Sequence, residues 1–472
     1  MLRVKNTLSS KMEELKPHDG KTLNMYVCGI TPYDSSHLGH ARTFVSFDIM
    51  RRWMQDGHRL KVNFIQNVTD IDDKIIKRAK ERGMLPLELS KIYDEQCREE
   101  MKRLNILPAT QMPKISEHIA QTIAMIEKLM DEKIAYKTQT GIYYDVSRFE
   151  NYGKLSGQNL EKIKAGARIE IDEKKKNPAD FALWKFSEEK GATYDSPWGK
   201  GRPGWHIECS AMSMHCTKGK PLDLHCGARD LIFPHHENEI AQSEGAGYSP
   251  FSHKWVHTGF LTVNGEKMAK SLGNFITIAQ ALKEWDQHSL RLFFAQTHYS
   301  SPVDFSKESI EAAKTTLENV KRSLEIMQGE GESSNKEEEH TLKDKITTHL
   351  SKFASFMDND FDTPTAISEL ILASKEIARA RAQNKTSKEV LQEQAQKIKE
   401  KFGLLGIILE DEQENRDASH KMSQAEIEEL IKEREDARKK RDFAESDKIR
   451  ELLSKKGVII EDSSSGAKWK YK

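Results

Sequence analysis

Three short stretches and two separate cysteines of this 472-residue chain carry side chains able to do chemistry. Ser36-His37-Leu38-Gly39-His40 follows an apolar run and opens a helical pattern. A helix N-terminus offers unpaired N–H groups and partial positive charge, which suits phosphate. Gly39 lets a base or ribose approach the backbone, and imidazoles three apart share one face. Lys267-Met268-Ala269-Lys270-Ser271 sets two lysines three apart in a loop between Gly265 and Gly273, able to close on charge at a transferring phosphate. Pro234-His235-His236-Glu237-Asn238-Glu239 puts His235 and Glu239 four apart, a metal-ligand spacing. Cys28 and Cys209 add two thiols. By itself each string has an ordinary structural explanation: a capping histidine, a solvated basic loop, a surface histidine pair, a buried cysteine.

Position in the fold ties them together. Residues 24–28 read as a buried strand, 37–54 as a helix, 62–68 as a strand and 72–82 as a helix, the alternation of a parallel sheet. The pattern becomes mixed from 115 to 203, with a polar run at 173–178, and α/β character resumes near Cys209. A strand is predicted at 222–225 and a helix from about Pro234. Strand ends of a doubly wound sheet converge on one crevice, so Cys28, Cys209, His235 and Glu239 could meet there. Beyond Ser306 the chain reads as charged helices. It has polar links at 329–340 and 410–417, a helix start at Thr363-Pro364, and a closing hairpin at 458–460 and 467–470.

The predicted fold is therefore α/β: a doubly wound, Rossmann-like domain with an insertion, then an α-helical bundle and a small mixed α/β C-terminal domain. The boundaries drawn are 1–114 and 204–260 for the two halves of the sheet domain and 115–203 for the insertion. The lysine-loop region is 261–307, the bundle 308–409 and the end domain 415–472. Lys+Arg and Asp+Glu both number 74, so any nucleic-acid contact must use local patches. No run of eighteen apolar residues crosses a membrane and the N-terminus lacks a signal pattern. Five cysteines without framework spacing suit a reduced cytoplasm.

The histidine and lysine strings, in this order, resemble the paired signatures of class I aminoacyl-tRNA synthetases. The strings MYVCGITPYDSSHLGHARTF, GWHIECSAM and FPHHENEIAQSE, with the C-terminal motifs, resemble the cysteinyl-tRNA synthetase family along nearly the whole chain. Two departures stand out: Ala269 replaces the usual serine, and His225-Cys226-Gly227-Ala228-Arg229-Asp230 replaces a glycine-rich HGGG-type turn.

The resemblance implies one Zn2+ per chain on Cys28, Cys209, His235 and Glu239, binding the thiolate of L-cysteine, with His236 a neighbour and the role of Cys226 open. Rejecting serine ten-thousandfold needs roughly 5.5 kcal/mol, which a metal–sulfur bond can supply. It also implies catalytic roles for His37, His40, Lys267 and Lys270, ATP contacts from Gly39, His40, Lys267 and Lys270, and Mg2+ carried with ATP. Thr69, Trp205 and His225 would line the substrate pocket. Arg438, Phe443, Asp447 and Asp462 would contact the anticodon of tRNA(Cys). A cytoplasmic monomer with no membrane partner is expected. Two other readings share some of these residues. A ligase coupling cysteine to an amino sugar would not need the residues after about Leu409. A non-catalytic tRNA-binding paralogue would not need the intact histidines and lysines.

Overall fold

A computed structural model describes residues 1–158, 175–268, 272–326, 331, 334–409, 430–434, 437, 443–455, 458–463 and 466–471. The chain divides into two units, Met1–Ile408 and Leu409–Lys472.

The first unit opens with an antiparallel hairpin, β1 (Arg3–Asn6) and β2 (Lys11–Glu14). Its centre is a parallel sheet built from β3 (Thr22–Ile30), β4 (Lys61–Val68), β9 (Leu224–Ala228) and β10 (Trp255–Thr258), in the order β10-β9-β3-β4. Residues 110–114 extend the edge beside β4: Gln66 N–H donates to Gln111 O at 3.0 Å and Val68 N–H to Pro113 O at 2.9 Å. Chain order reverses between β3 and β9, so the crevice of the sheet opens at their carboxyl ends. β3 is buried almost throughout, as a parallel strand covered on both faces must be. The helix Leu38–Arg52 crosses from β3 to β4.

Between β4 and β9 lies the insertion, a helix (Ile119–Asp131) and an antiparallel sheet. Its strands are β5 (Ala135–Lys137), β6 (Gly141–Tyr144), β7 (Phe181–Phe186) and β8 (Gly201–Pro203), paired in that order. It is anchored by buried polar contacts. Tyr144 donates to Ala241 O at 2.9 Å, and the Glu237 carboxylate accepts from the N–H groups of Gly153, Leu155 and Ser156 at 2.8–3.1 Å. A small sheet of β11 (Leu261–Val263), β12 (Glu266–Lys267) and β13 (Val303–Phe305) follows. Four helices then form the bundle, Lys307–Leu324, Lys336–Asp358, Thr363–Gln383 and Lys388–Leu404. In the second unit the helix Phe443–Lys455 precedes a hairpin, β14 (Val458–Ser463) and β15 (Gly466–Tyr471).

The fold class agrees with the sequence reading, and several local details differ. The strand expected at 222–225 begins at Leu224 and runs to Ala228, because Leu222 instead bridges to Ser252. The regular helix expected from Pro234 begins only at Glu237. Phe233, preceding a proline, is extended at φ −136° and ψ 131°, as steric clash with the proline ring favours. The helix at Thr363 is capped by Asp362, whose carboxylate accepts from Thr365 N–H, so Thr363 and Pro364 fill its first turn.

Candidate metal and adenylate centre

Cys28 sits at the carboxyl end of β3, where the register with β4 shifts between Val27 and Ile30. Gly29 makes this possible, since a Cβ there would run into the carbonyl of Asn67. Gly29 N–H instead donates to Asn67 Oδ1 at 2.8 Å. Cys209 lies one turn into the helix Trp205–Cys216, and His235 and Glu239 flank the start of the helix Glu237–Gly245.

Potential donor atoms of Cys28, Cys209, His235 and Glu239 all lie within 4.8 Å of one another, and all four residues are buried. His235 Nε2 is 3.0 Å and Cys28 Sγ 3.7 Å from Glu239 Oε1. A second group shares two members, Cys28, His225, His236 and Glu239. His236 Nε2 is 3.3 Å from Cys28 Sγ, and His225 Nε2 is 3.6 Å from it. His236, read as a mere neighbour from sequence, thus borders the same sulfur.

Electrostatics favour a cation here. Hydrogen bonding from Cys28 brings the Cys209 thiol down from 9.0 to about 7 despite its burial. Burial pushes Cys28 and Glu239 well above their ordinary values, and His225, His236 and His206 well below theirs. A metal ion among the donors would reverse the shifts of Cys28 and Glu239, and the histidines, already held neutral by burial, are in the form that binds a metal. Glu239 Oε2 is buried with no hydrogen-bond partner among the described residues, although His225 Nε2 lies 3.4 Å away, which leaves an acceptor free for a cation. The donor set therefore fits a metal ion.

Two histidines that sequence reasoning missed support this cluster. His206 Nδ1 is 2.9 Å from His235 Nδ1, leaving His235 Nε2 to face Glu239. His257 Nε2 is 2.8 Å from His236 Nδ1, and its own Nδ1 meets Thr7 Oγ1 at 2.8 Å. Their signal was present: His206 sits one residue past a helix start, and His257 nears the end of β10. Of the expected pocket residues, Trp205 is 41% exposed and stacks on His235 at 4.7 Å. His225 is buried against Trp255 at 4.4 Å, and the Thr69 hydroxyl accepts from Asn67 Nδ2 at 3.2 Å. Cys226 belongs to neither donor group. Strand alternation turns it away from His225, and it comes within electrostatic reach of Tyr299. Gly227, retained in the altered turn, is needed, because a Cβ there would lie 2.7 Å from His236 Cε1.

His37 caps the helix Leu38–Arg52. Its Nδ1 accepts from Gly39 N–H at 3.1 Å, and its own N–H donates to His40 Nδ1 at 3.3 Å. Both Nδ1 atoms are acceptors, so the ring protons sit on Nε2 and both imidazoles present neutral N–H donors. Burial, reinforced by His37, lowers His40 from 6.5 to about 3. A Cβ on Gly39 would lie 2.9 Å from the His37 ring and 3.7 Å from Met268 Cε, so the lysine loop begins directly over this glycine. Ile278 N–H donates to Ser36 O and Leu38 N–H to Ile276 O, tying the two motifs by backbone. Lys267 is exposed in β12. Ala269 and Lys270 lie outside the described residues, as does Arg438. Phe443 opens the helix Phe443–Lys455, in which Asp447 is exposed, and Asp462 pairs with Ala467 in the hairpin.

Comparison with known proteins bears on this arrangement. Residues 14–315 match the model of the class I (C) tRNA synthetase catalytic domain, 352–410 a DALR domain and 423–469 the cysteinyl-tRNA ligase anticodon binding domain. The chain is 45% identical to a cysteine–tRNA ligase of Methanococcus maripaludis, with 98% of each chain covered. It is 43% identical to one of Heliobacterium modesticaldum, with 99% of each covered. Among solved structures it resembles Mycobacterium tuberculosis methionyl-tRNA synthetase in complex with methionyl-adenylate. There the TM-score is 0.61 at 14% identity, covering 82% of this chain and 90% of that one, a likeness of fold alone. By these matches the chain belongs to the cysteine–tRNA ligase family of class I aminoacyl-tRNA synthetases.

Proposed function

We propose that the protein joins L-cysteine to tRNA(Cys), with ATP converted to AMP and diphosphate through a cysteinyl-adenylate. The observation that carries this reading is the gathering of two thiols, an imidazole and a carboxylate at the carboxyl end of β3, the strand that ends seven residues before His37. The donor atoms of these four residues all lie within 4.8 Å of one another, close enough for one ion to be held among them. Cys28, Cys209, His235 and Glu239 would hold zinc, which would supply a Lewis acid that prefers a thiolate to an alcohol. The set containing Cys209 is preferred over the one containing His225 and His236, because it has a second sulfur whose proton is already loosened.

The protein's own groups do the rest. Trp205, stacked on His235, and Thr69 bound the space for the amino acid. As the cysteine carboxylate attacks the α-phosphate, His37 and His40 offer Nε2–H donors to its oxygens. Lys267 and Lys270 neutralise charge on the departing diphosphate, and magnesium travels with the nucleotide. The terminal ribose hydroxyl of tRNA then takes the acyl group, with no protein nucleophile required. Residues 308–409 would contact the tRNA body and 415–472 its anticodon, through Arg438, Phe443, Asp447 and Asp462. The match of residues 423–469 to an anticodon binding domain supports that division. A monomer in the cytoplasm, with its five cysteines free, is the working form proposed.

Diphosphate exchange and tRNA charging test the reading together. Exchange should depend on cysteine and ignore serine, and tRNA(Cys) should be charged. Exchange without charging would favour an amino-sugar acceptor, and the absence of exchange would favour a binding protein.

A further inference from the structure

Between β4 and the helix Pro86–Arg103 lies a cavity of about 390 Å³. Pockets holding small organic ligands begin near about 300 Å³. Phe44, Phe64, Met101, Leu107 and Met112 give it aromatic and flexible apolar walls. At its edge Arg98 is held by Asp94 through two bonds of 2.8 and 3.0 Å. Lys102, exposed, has no ion pair among the described residues and leaves one positive charge at the edge.

Three of its walls belong to groups that shape the reaction centre. Phe44 stacks on the His40 ring at 6.3 Å. Asn67 holds both Gly29 N–H, beside Cys28, and the Thr69 hydroxyl. The Cys97 thiol lies beside the side chain of Ser36, the residue before His37. A molecule filling the space would therefore press on the back of both the amino-acid site and the phosphate site.

We propose that this cavity is a second ligand site, built for a two-ring aromatic molecule bearing one negative charge, and that its occupancy is sensed by the adenylate centre. Apolar walls of this volume accommodate two rings, and Lys102 at the edge selects the anion. The site lies on the β4 side of Ile30, against the carboxyl end of β4 and away from β9, and none of its lining residues belongs to the HLGH or lysine strings, so its ligand should not compete with ATP.

The test is calorimetric titration of the full-length protein with naphthoate, alongside neutral naphthamide. Expected is one saturable site for naphthoate that survives saturating ATP. Binding should weaken at least about tenfold in Ala109→Phe and in Leu107→Trp, two substitutions that fill the cavity from its loop side. Lys102→Ala should bring naphthoate down to the affinity of naphthamide. Saturating naphthoate should shift the KM for ATP in diphosphate exchange by at least about fivefold, the lower end of ordinary coupling. No saturable binding, displacement by ATP, or undiminished binding in whichever filled variants remain folded would overturn the site. Equal affinity for naphthamide would overturn the charge selection, and an unmoved KM would overturn the coupling.

Discussion

At the scale of single residues, the centre depends on how protons are shared in a dry space. Cys209 stands near pKa 7 because Cys28 hydrogen-bonds to it, so one sulfur is ready to lose its proton to a metal. Cys209→Ser keeps the size and removes the soft donor. Metal content by elemental analysis should fall well below one per chain, and the preference for cysteine over serine should collapse. Stoichiometric zinc in that variant would count against Cys209 as a ligand. Lys270→Ala should slow adenylate formation at least about a hundredfold while cysteine still binds, checked by exchange and equilibrium dialysis. Protonation sets a further limit. His40 and His257 are lowered from 6.5 to about 3, chiefly by burial. The folded state therefore binds fewer protons than the unfolded one between those values. Their stabilising share is complete above about pH 6.5 and is lost as pH falls toward 3, by up to about 1.4 kcal/mol per pH unit for each histidine. Urea midpoints should drop between pH 6.5 and 5, and His257→Asn should flatten that slope. An unchanged slope would mean that this histidine is not held neutral.

At the scale of elements, glycines decide where backbones can meet. Gly39 leaves room for the His37 ring that caps its own helix, and a Cβ there would come within 2.9 Å of it. Gly39→Ala should displace that ring and lower the exchange rate at least about tenfold, since misplacements near 1 Å cost this much or more. The fold should survive, because the imidazole can swing away; far-ultraviolet circular dichroism checks this. A wild-type exchange rate would show that the cap does not set the donor geometry. Proline acts in the opposite sense. By holding Phe233 extended, Pro234 delays the regular helix to Glu237 and leaves His235 on an irregular turn, yet His235 Nε2 still reaches Glu239 at 3.0 Å.

At the scale of the whole molecule, activation and tRNA reading draw on different parts of the chain. The residues proposed as catalytic all fall within the span Met1–Ile408, which also contains an arginine hub. Arg291, fully buried, donates to Asp48 Oδ2 at 2.6 Å and to Leu104 O and Leu405 O at 3.0 Å each, tying the sheet domain to the end of the bundle. Removing the residues after Gln413 should therefore leave cysteine-dependent exchange within about twofold of normal and weaken tRNA charging at least about tenfold, in keeping with the loss of several phosphate contacts. Full charging by the shortened protein would rule out the anticodon assignment.

The amino-acid sequence by itself determined the alternating strands and helices, the order of the motifs and the identities of the candidate donors, because periodicity and residue chemistry are local properties. It also marked Gly39 and the His235–Glu239 spacing, which depend only on near neighbours in the chain. Tertiary structure decided which groups share a space. His206 and His257 have no spacing that links them to His235 and His236, and only the convergence of a helix start, an irregular turn and the last sheet strand brings them within 3 Å. The cap at Asp362, the two overlapping donor groups around Cys28 and the space behind Asn67 arise in the same way. They depend on packing between segments far apart in sequence, and no local pattern encodes that distance.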